Sequence, residues 1–509
     1  MKNDTLHSYV QLLQNLQLLN GYNIEAAGGL KITNLTYDSR KVTKGTLFIC
    51  KGASFQTQYL DEAIEKGAAA YVSEEKYRTQ TNIPYILVSD IRRAMPPLAE
   101  HFYNAPWQEL TIVGIGGTKG KSTTTYYVKA VIDDYMKAVG GKESAVLSSI
   151  DTYDGVVREE SHITTPEAVE LQQHFRRAAD SGISFLEMEV SSQALKYNRV
   201  DHMRFDVGVF LNIAEDHISQ AEHADFEDYF TSKLKLFEQS DKAVVNLDAD
   251  FCGRILEAVS VCQKVLTFSM KDESADVYGF QVRKKGSGSE FMVRTPEFEE
   301  RFCLTMPGLF NVENALAAIA VSLLLGIPRP YIHSGLRRAR SSGRMELYES
   351  RDKQVIAVVD YAHNKLSFEK LFASTRHEYP DYKIVSIFGC PGKKAYLRRR
   401  DLGTVAGRYS RKVYLTAEDP GYEPVRDISQ EIAQYVEAQN CPCEMIEDRG
   451  EAIRTAFAEA AGKTILLVTG KGNETRQKYG SEYLACKSDV EYVKEYLARY
   501  DAYGSFSDK

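Results

Sequence analysis

Residues 117–123 have the composition of a phosphate-binding loop, with two glycines, two lysines and three hydroxyl side chains. The apolar run 110–115 precedes this segment, and a helical pattern follows it. In a strand–loop–helix arrangement of this kind, backbone N–H groups and the helix dipole hold phosphates, a lysine reaches the outer ones, and a hydroxyl binds magnesium. The segment therefore predicts a nucleotide site with Lys121 and Ser122 in these roles. The alternative, a glycine-rich turn with a surface lysine, is disfavoured because strand, Gly-Lys-Ser and helix coincide.

Two carboxylates and one histidine near the ends of further strand-like runs are candidate magnesium ligands. Glu187 and Glu189 alternate in the run 185–190, so both lie on one strand face, with Glu189 nearer the carboxyl end. His217 follows the run 207–213 next to an aspartate, which favours a metal role over a structural one. A solvated strand face is a credible alternative for Glu187 and a weaker one for Glu189.

Length, charge and cysteine usage indicate a multidomain globular protein. The 509 residues exceed one hydrophobic core and fit two to four domains. A net charge of −7 gives no general attraction to nucleic acid or to an anionic membrane. Eight cysteines without C-x-x-C spacing argue against a zinc ribbon and for free thiols in a reducing compartment. Without a signal-peptide pattern or an apolar run of about 18 residues, we expect a cytoplasmic protein with no membrane insertion.

Strand-like and helical runs divide the chain into three α/β blocks, which we predict to span residues 1–107, 108–340 and 341–509. The second block should contain a mostly parallel sheet covered on both faces. In the third block, each of four apolar runs ends in polar or glycine residues; the runs are 355–359, 384–388, 413–416 and 465–468. Because ligands bind beyond the carboxyl ends of the strands in an open α/β sheet, these ends predict a ligand-binding edge.

Nine motifs along nearly the whole chain resemble those of the Mur ligases and occur in that family's order. They are residues 38–42, 117–123, 164–167, 188–194, 212–217, 310–315, 343–346, 360–363 and 470–474. The chain is most similar to the MurE type, which adds the third peptide residue. The resemblance implies a UDP-substrate-binding N-terminal domain, a central P-loop ATPase-like domain and a Rossmann-like C-terminal domain that binds an amino acid. It also implies an ATP-dependent ligase that releases ADP and phosphate.

The resemblance further implies residue-level roles. ATP phosphates and one magnesium ion would be held by Gly117, Thr118, Lys119, Gly120, Lys121, Ser122, Thr123 and Glu189. A second magnesium ion would be held by His217 and by a CO2-derived carbamate on Lys233, a residue that pattern alone would assign to a solvated helix face. Further ATP contacts from the domain junctions would come from Asn311, Asn314, Arg344 and Asp360. The precursor UDP-N-acetylmuramoyl-L-alanyl-D-glutamate would contact Ser39, Thr164, Thr165, Ser191 and Arg199.

The predicted acceptor amino acid is L-lysine. Family members that take meso-diaminopimelate carry Asp-Asn-Pro-Arg in the third domain, whereas this chain has Glu418-Asp419-Pro420-Gly421. A glycine cannot clamp a distal carboxylate, while acidic residues suit an ammonium group. We therefore expect Glu418 or Asp419 to face the lysine side chain, unless Glu418 is only a solvated loop charge. By resemblance, Arg399 would hold the amino acid's α-carboxylate, and Gly470 and Glu474 its α-amino end.

Other functions remain open at the level of sequence. The same ligase could add meso-diaminopimelate or another diamino acid, and Asn473 and the loop 390–394 depart from the common family pattern on this acceptor side. Folylpolyglutamate synthetase shares the P-loop but lacks the early segment 38–40, and a zinc-ribbon Mur relative does not fit the cysteines. A nucleotide-binding scaffold without turnover and a P-loop motor are the remaining alternatives. Nothing in the sequence requires a state beyond the monomer.

Overall fold

The computed structural model describes residues 5–24, 27–52, 55–79, 81–161, 163–215, 222–286, 288–393 and 396–503. The chain forms two compact units, one of Met1–Asp276 with Ala317–Ile332 and the other of Val277–Leu316 with His333–Lys509. Each unit is described by itself below. The three block boundaries predicted from the sequence stay a prediction.

The first sheet of the first unit contains five strands in the order β1-β5-β4-β3-β2. The strands are β1 (Leu19–Asn23), β2 (Asn34–Thr36), β3 (Thr46–Ile49), β4 (Ala68–Ser73) and β5 (Tyr85–Val88), and the helices are α1 (Leu6–Asn15), α2 (Thr57–Glu65) and α3 (Ile91–Tyr103). β2, β3, β4 and β5 run parallel to one another, and β1 is antiparallel to β5. Apolar side chains of these strands and of α1 and α3 form a continuous core.

The second sheet of this unit includes eight strands in the order β13-β12-β11-β6-β10-β7-β8-β9. The strands are β6 (Thr111–Gly116), β7 (Ala145–Leu147), β8 (Asp151–Tyr153), β9 (Arg158–Glu160), β10 (Phe185–Glu189), β11 (Phe205–Phe210), β12 (Ser240–Asn246) and β13 (Lys264–Ser269). The helices are α4 (Lys121–Ala138), α5 (Ala168–Asp180), α6 (Ser192–Lys196), α7 (Phe226–Glu238) and α8 (Cys252–Ala258). All neighbours from β13 to β7 are parallel, which confirms the predicted mostly parallel sheet.

Three antiparallel strands begin the second unit, namely β14 (Val277–Lys285), β15 (Gly288–Arg294) and β16 (Glu299–Leu304). Two helices follow in the chain, α9 (Leu309–Leu324) and α10 (Arg329–Arg338), and their residues between 317 and 332 belong to the first unit. Three 3-10 turns occur earlier, at Ser39–Lys41, Pro106–Glu109 and Val259–Val261.

A six-stranded sheet forms the rest of the second unit, in the order β17-β18-β22-β19-β20-β21. Its strands are β17 (Glu346–Glu349), β18 (Val355–Asp360), β19 (Lys383–Phe388), β20 (Lys412–Leu415), β21 (Cys443–Met445) and β22 (Thr464–Thr469), and a separate hairpin consists of β23 (Arg476–Tyr479) and β24 (Glu482–Ala485). The helices are α11 (Lys365–Glu378), α12 (Tyr396–Tyr409), α13 (Val425–Glu437), α14 (Arg449–Ala458) and α15 (Asp489–Tyr503). Only β17 runs antiparallel to its neighbour in this sheet, so the carboxyl ends of five strands share one edge. The four strands predicted for this block, and the edge that they share, are confirmed.

All eight cysteines carry free thiols, as expected from their spacing. Among the described residues, no helix has both the length and the apolar character needed to cross a bilayer.

Candidate active site

Residues 117–123 form a tight loop between β6 and α4. Gly117 and Gly120 have φ values of +140° and +86°, in the region that glycine adopts without strain. A Cβ at Gly117 would also lie 3.0 Å from the Cβ of Leu211. Lys121 Nζ donates hydrogen bonds to the carbonyl oxygens of Gly117 and Thr118, at 3.1 and 3.3 Å. These bonds hold the Lys121 side chain over the concave face of the loop. The loop lies at the start of an 18-residue helix, the position at which a phosphate would bind.

Asn212 holds this loop from the adjacent strand β11. Its Oδ1 accepts from the Lys119 N–H at 2.8 Å, and its Nδ2 donates to the Lys119 carbonyl at 3.0 Å. The Thr118 N–H donates to the Asn212 carbonyl at 3.0 Å. The sequence placed Asn212 in a family motif without a role, and the pairing of β6 with β11 gives it one, which is to fix the conformation of the phosphate loop.

The predicted magnesium ligands Ser122 and Glu189 are joined through Ser149, which the sequence reading missed. The N–H and the hydroxyl of Ser149 both donate to Glu189 Oε1, at 2.8 and 3.0 Å, and Ser149 Oγ lies 3.1 Å from Ser122 Oγ. Ser122 and Glu189 are buried. A hydroxyl and a carboxylate at the start of a phosphate loop are the oxygen donors that Mg²⁺ takes beside nucleotide phosphates, so these residues fit the ion.

Glu187 is fully buried, which makes the solvated-face alternative wrong for this residue. The sheet is covered on both faces, and in such a sheet strand alternation does not separate core from solvent. Ser144 Oγ donates to Glu187 Oε2 at 2.9 Å, and Oε1 has no hydrogen-bond partner among the described residues. Burial raises the pKa of Glu187 to about 8, although the nearby Lys129 ammonium acts in the opposite direction.

Lys233 is also buried, so its assignment to a solvated helix face is wrong as well. Its Nζ donates to the Gly117 carbonyl at 2.8 Å and lies 4.8 Å from the ring centroid of Tyr229. The Tyr229 hydroxyl in turn is 3.0 Å from Thr118 Oγ1. α7 thus presents Lys233 directly at the phosphate loop, while His217 lies outside the described residues.

Three of the predicted precursor-binding residues form one hydrogen-bonded group. Thr165 Oγ1 donates to the Glu189 carbonyl at 2.9 Å and accepts from the Ser191 N–H at 3.0 Å. Arg199 NH1 donates to the Thr165 carbonyl at 3.2 Å. The structure therefore brings Thr165, Ser191 and Arg199 together next to the carboxyl end of β10. Thr164 adjoins them in sequence and is half-buried.

Ser39 has a different neighbour. It lies in the 3-10 turn Ser39–Lys41, and its hydroxyl donates to Glu62 Oε2 at 2.9 Å. The bond ties the turn to α2 of the first sheet. No hydrogen bond joins Ser39 to the Thr165 group within the described ranges.

The second unit contains the remaining predicted ATP contacts. Asn311 and Asn314 are buried one turn apart in α9, and Asn311 Nδ2 donates to the Pro307 carbonyl at 2.6 Å. Asp360, at the end of β18, accepts from the N–H groups of Ala362 and Met345 at 2.7 and 2.9 Å. The guanidinium of Arg344 lies 4.4 Å from the ring centroid of Tyr361.

The predicted acceptor residues converge at the shared edge of the six-stranded sheet, around Lys471. Lys471 Nζ lies 3.0 Å from Asp419 Oδ1 and 2.5 Å from Glu474 Oε2. The Tyr361 hydroxyl donates to the other oxygen of Glu474 at 2.6 Å. A Cβ added at Gly470 would overlap Glu418 Oε2, so these two residues are in direct contact. The sequence predicted the acidic residues and the glycine but not Lys471, which pairs with two of the acidic residues.

Glu418 is 8% exposed, which excludes the solvated-loop alternative. Burial raises the pKa of its carboxyl to about 7, against the opposing charges of Arg449, Arg398 and Lys471. Two of these cations already have acidic partners, since Arg449 pairs with Asp489 and Lys471 with Asp419 and Glu474. In the part of the chain that the structure describes, none of the three donates a hydrogen bond to Glu418. When ionised, Glu418 therefore gives this cluster one net negative charge.

Arg399 is engaged within the protein. NH1 donates to Glu423 Oε1 and Glu431 Oε2 at 2.8 and 2.6 Å, and NH2 donates to Glu423 Oε2 at 2.7 Å. The side chain is 1% exposed, and its two carboxylate partners raise the pKa of the guanidinium despite burial. Both terminal nitrogens of Arg399 are already paired with these carboxylates, and its role at the amino acid's carboxylate stays a prediction.

Comparisons with known proteins identify the family of this chain. Residues 115–322 match the Mur ligase middle domain, and residues 343–472 match the Mur ligase glutamate ligase domain. The chain is 35% identical to the UDP-N-acetylmuramoyl-L-alanyl-D-glutamate--2,6-diaminopimelate ligase of Clostridioides difficile, over 92% of this chain and 95% of that one. It is 36% identical to the UDP-N-acetylmuramoyl-L-alanyl-D-glutamate--L-lysine ligase of Streptococcus pyogenes, over 92% of this chain and 94% of that one.

Among solved structures, the chain is similar to a UDP-N-acetylmuramoyl-L-alanyl-D-glutamate--2,6-diaminopimelate ligase, with a TM-score of 0.64 and 24% identity. The likeness covers 94% of this chain and 97% of that one. It confirms the predicted α/β fold class.

Proposed function

The chain belongs to the Mur ligase family, and from this premise we propose that it is the ATP-dependent ligase that adds L-lysine to UDP-N-acetylmuramoyl-L-alanyl-D-glutamate. Its family membership supports a ligase that adds an amino acid to this UDP-linked dipeptide. The identity of the amino acid is the proposal, because relatives of similar identity are named for diaminopimelate and for lysine. Both ATP and the UDP-linked precursor are cytoplasmic compounds, so we place the reaction in the cytoplasm.

Amide formation needs an activated carboxylate, because a free carboxylate is a poor acyl donor. The γ-phosphoryl group of ATP is transferred to the carboxylate of the precursor, which gives an acyl phosphate and ADP. The amine of the amino acid then attacks the acyl carbon, and phosphate leaves as the C–N bond forms. The developing charge lies on the phosphoryl group, so Lys121 and the N–H groups at the start of α4 are suited to stabilise it.

Ser122 and Glu189 would hold a magnesium ion, which supplies neutralisation of phosphate charge when bound. We assign His217 and a carbamate on Lys233 to a second ion, as the family resemblance implies. The burial of Lys233 against the Gly117 carbonyl supports this assignment, because it brings the side chain to the phosphate loop. If the carbamate acts there, Lys233→Ala should lose activity and regain part of it with added short carboxylic acids. Loss without rescue would count against the carbamate.

The observation that carries the lysine proposal is the environment of Glu418. Asp419 is committed to the Lys471 ammonium and to the Lys478 N–H, at 3.0 and 2.9 Å. Glu418 is buried beside Gly470 and has no donor of its own among the described residues. A buried carboxylate without a donor is costly unless a cation completes the site. Of the two acidic residues predicted for the lysine side chain, we therefore assign the ammonium contact to Glu418.

The test measures phosphate release with the precursor and Mg-ATP, offering L-lysine, meso-diaminopimelate or L-ornithine in parallel. We expect release that depends on L-lysine. Glu418→Gln should raise the KM for lysine strongly, and Asp427→Asn, an acidic residue in the first turn of α13 outside this cluster, serves as the matched control. Release with meso-diaminopimelate in place of lysine would keep the ligase and overturn the assignment of Glu418. No release with any amine would favour a nucleotide-binding scaffold without turnover.

A further inference from the structure

Lys51 lies at the end of β3, in the first sheet, and turns inward. Its side chain is only 17% exposed, and Nζ is 4.5 Å from the ring centroid of Tyr37. The ammonium forms an ion pair with Glu167 Oε2, from the segment that precedes α5. Burial lowers the pKa of Lys51, and the charge of Glu167 acts in the opposite direction. The sequence reading assigned no role to Lys51.

The same carboxylate is shared with a second cation. Arg199 Nε lies 2.9 Å from Glu167 Oε1, and the Arg199 side chain is 10% exposed. Arg199 also donates to the Thr165 carbonyl, which places it in the hydrogen-bonded group of Thr165 and Ser191. Lys51 therefore joins the predicted precursor-binding residues through a single bridging carboxylate.

Two carboxylates, Glu167 and Glu170, lie among three cations, Lys51, Arg199 and Lys41, which leaves one net positive charge. If Glu167 served packing alone, one cation would be enough to pair with it. Burying a second cation beside the same carboxylate costs free energy, because that cation loses its hydration. Lys41 is the outer member of this group, because its side chain is 62% exposed and its Nζ lies 3.8 Å from Glu170. Lys51 and Arg199 are the inner cations, with side chains 17% and 10% exposed, so the positive charge that they present is local and half-buried, as in a site that receives an anion.

We propose that Lys51 is a further substrate-binding residue, which with Arg199 forms a cationic site for an anionic group of the UDP-linked precursor. This inference rests on the proposed function. The precursor offers that chemistry in two places, the diphosphate of its nucleotide and the carboxylates of its peptide, and a lysine ammonium pairs with either.

Binding measured by calorimetry without ATP or amino acid tests the proposal. The ligands are UDP, UDP-N-acetylmuramic acid and the full UDP-N-acetylmuramoyl-L-alanyl-D-glutamate. Lys51→Met should weaken binding of the full precursor by about tenfold or more, which is the size expected for a lost charge-assisted hydrogen bond. Lys51→Arg keeps the charge and should lose much less. Lys44→Met is the matched control, an exposed lysine just before β3 and outside this charge cluster, and should bind like the wild-type protein.

The smaller ligands identify the anionic group. A loss already present with UDP assigns Lys51 to the diphosphate, and a loss that appears only with the full precursor assigns it to a peptide carboxylate. Unchanged binding of all three ligands by Lys51→Met would overturn the inference while leaving the proposed function intact. A wild-type protein that binds none of them would instead overturn the proposed function. The melting temperature of each variant and its binding of an ATP analogue show whether the variant is folded. If Lys51→Met does not fold, Lys51→Gln replaces it, because a glutamine can still donate a hydrogen bond to Glu167.

Discussion

At the scale of single residues, the ionisation of Glu418 should be visible in lysine kinetics. Burial raises its pKa to about 7, so its carboxylate is mostly ionised at pH 8 and mostly protonated at pH 6. A protonated carboxyl cannot pair with an ammonium group, and the ammonium of lysine stays charged over this range. We expect the KM for L-lysine to rise by about tenfold from pH 8 to pH 6.

The variant Glu418→Gln separates this effect from other titrations, such as that of the attacking α-amine. Its KM for lysine should be high at both pH values, so the ratio of variant to wild-type KM should shrink as the pH falls. A ratio that stays constant from pH 8 to pH 6 would show that Glu418 does not titrate against the substrate.

Lys121 is the residue on which phosphoryl transfer should depend most. Because its ammonium already bridges the Gly117 and Thr118 carbonyls, it needs no rearrangement of the loop to reach a phosphate. Lys121→Ala should lower kcat by about a hundredfold or more, a loss typical of removing one preorganised charge-stabilising donor. Lys119→Ala, which removes the other loop lysine, is the control, and a similar loss in both variants would contradict the distinct role of Lys121.

The spacing of residues predicted which side chains lie near the phosphate loop more reliably than how deeply those side chains are buried. Lys121, Ser122 and Glu189 belong to motifs in which sequence neighbours dictate the geometry. The burial of Glu187 and Lys233 depends on which helices cover the sheet, and that information lies in segments far along the chain. Ser149 and Lys51 escaped prediction for the same reason, since each meets its partner only after distant segments pack together.

At the scale of secondary-structure elements, the turn after β22 sets the shape of the acceptor site. Gly470 has a φ of +106°, and a Cβ there would overlap the Glu418 carboxylate. Gly470→Ala should therefore displace Glu418 and raise the KM for lysine, measured as phosphate release. Gly462→Ala, before the same strand, also places alanine at a positive φ, +63°, but its Cβ meets no atom within 4 Å. If both variants raised the KM equally, backbone strain in β22, and not contact with Glu418, would be the cause.

Glu187, in strand β10, should make the stability of the protein depend on pH. Its pKa is about 8 in the folded protein and 4.5 as the ordinary value, so the folded state keeps a proton that the unfolded chain releases between these pH values. The free energy of unfolding should therefore fall as pH rises from about 4.5 to about 8, and the loss should be complete above this range. Glu187→Gln keeps the hydrogen bond with Ser144 and removes the titration, so it should raise the melting temperature at pH 8.5 but much less at pH 5.

The exposed Glu159 of β9 provides the control for this prediction. Glu159→Gln should leave the melting temperature unchanged at both pH values. A melting temperature of Glu187→Gln below that of wild type at pH 8.5 would mean that the ionised carboxylate stabilises the network with Lys129.

Alternating apolar runs and helical patterns predicted a mostly parallel sheet in the central block and four strands of the last sheet with a shared edge, but they did not predict the order of the strands within either sheet. The antiparallel strands β14 to β16 and the hairpin of β23 and β24 were not predicted either. Their residues alternate polar and apolar types weakly, and pairing across tight turns depends on register rather than on composition. The hairpin matters for function, because the Lys478 N–H within it holds Asp419.

At the scale of the whole molecule, the two substrates should stabilise the protein through different residues. A ligand that binds only the folded state adds about 2.7 kcal/mol at a concentration of 100 times its Kd. Mg-ATP and the UDP-linked precursor should therefore each raise the melting temperature measured by differential scanning fluorimetry. Lys121→Ala should reduce the shift with Mg-ATP and keep the shift with the precursor, whereas Lys51→Met should do the reverse. Loss of both shifts in either variant, with an unchanged melting temperature of the free protein, would contradict the assignment of these two lysines to separate ligands.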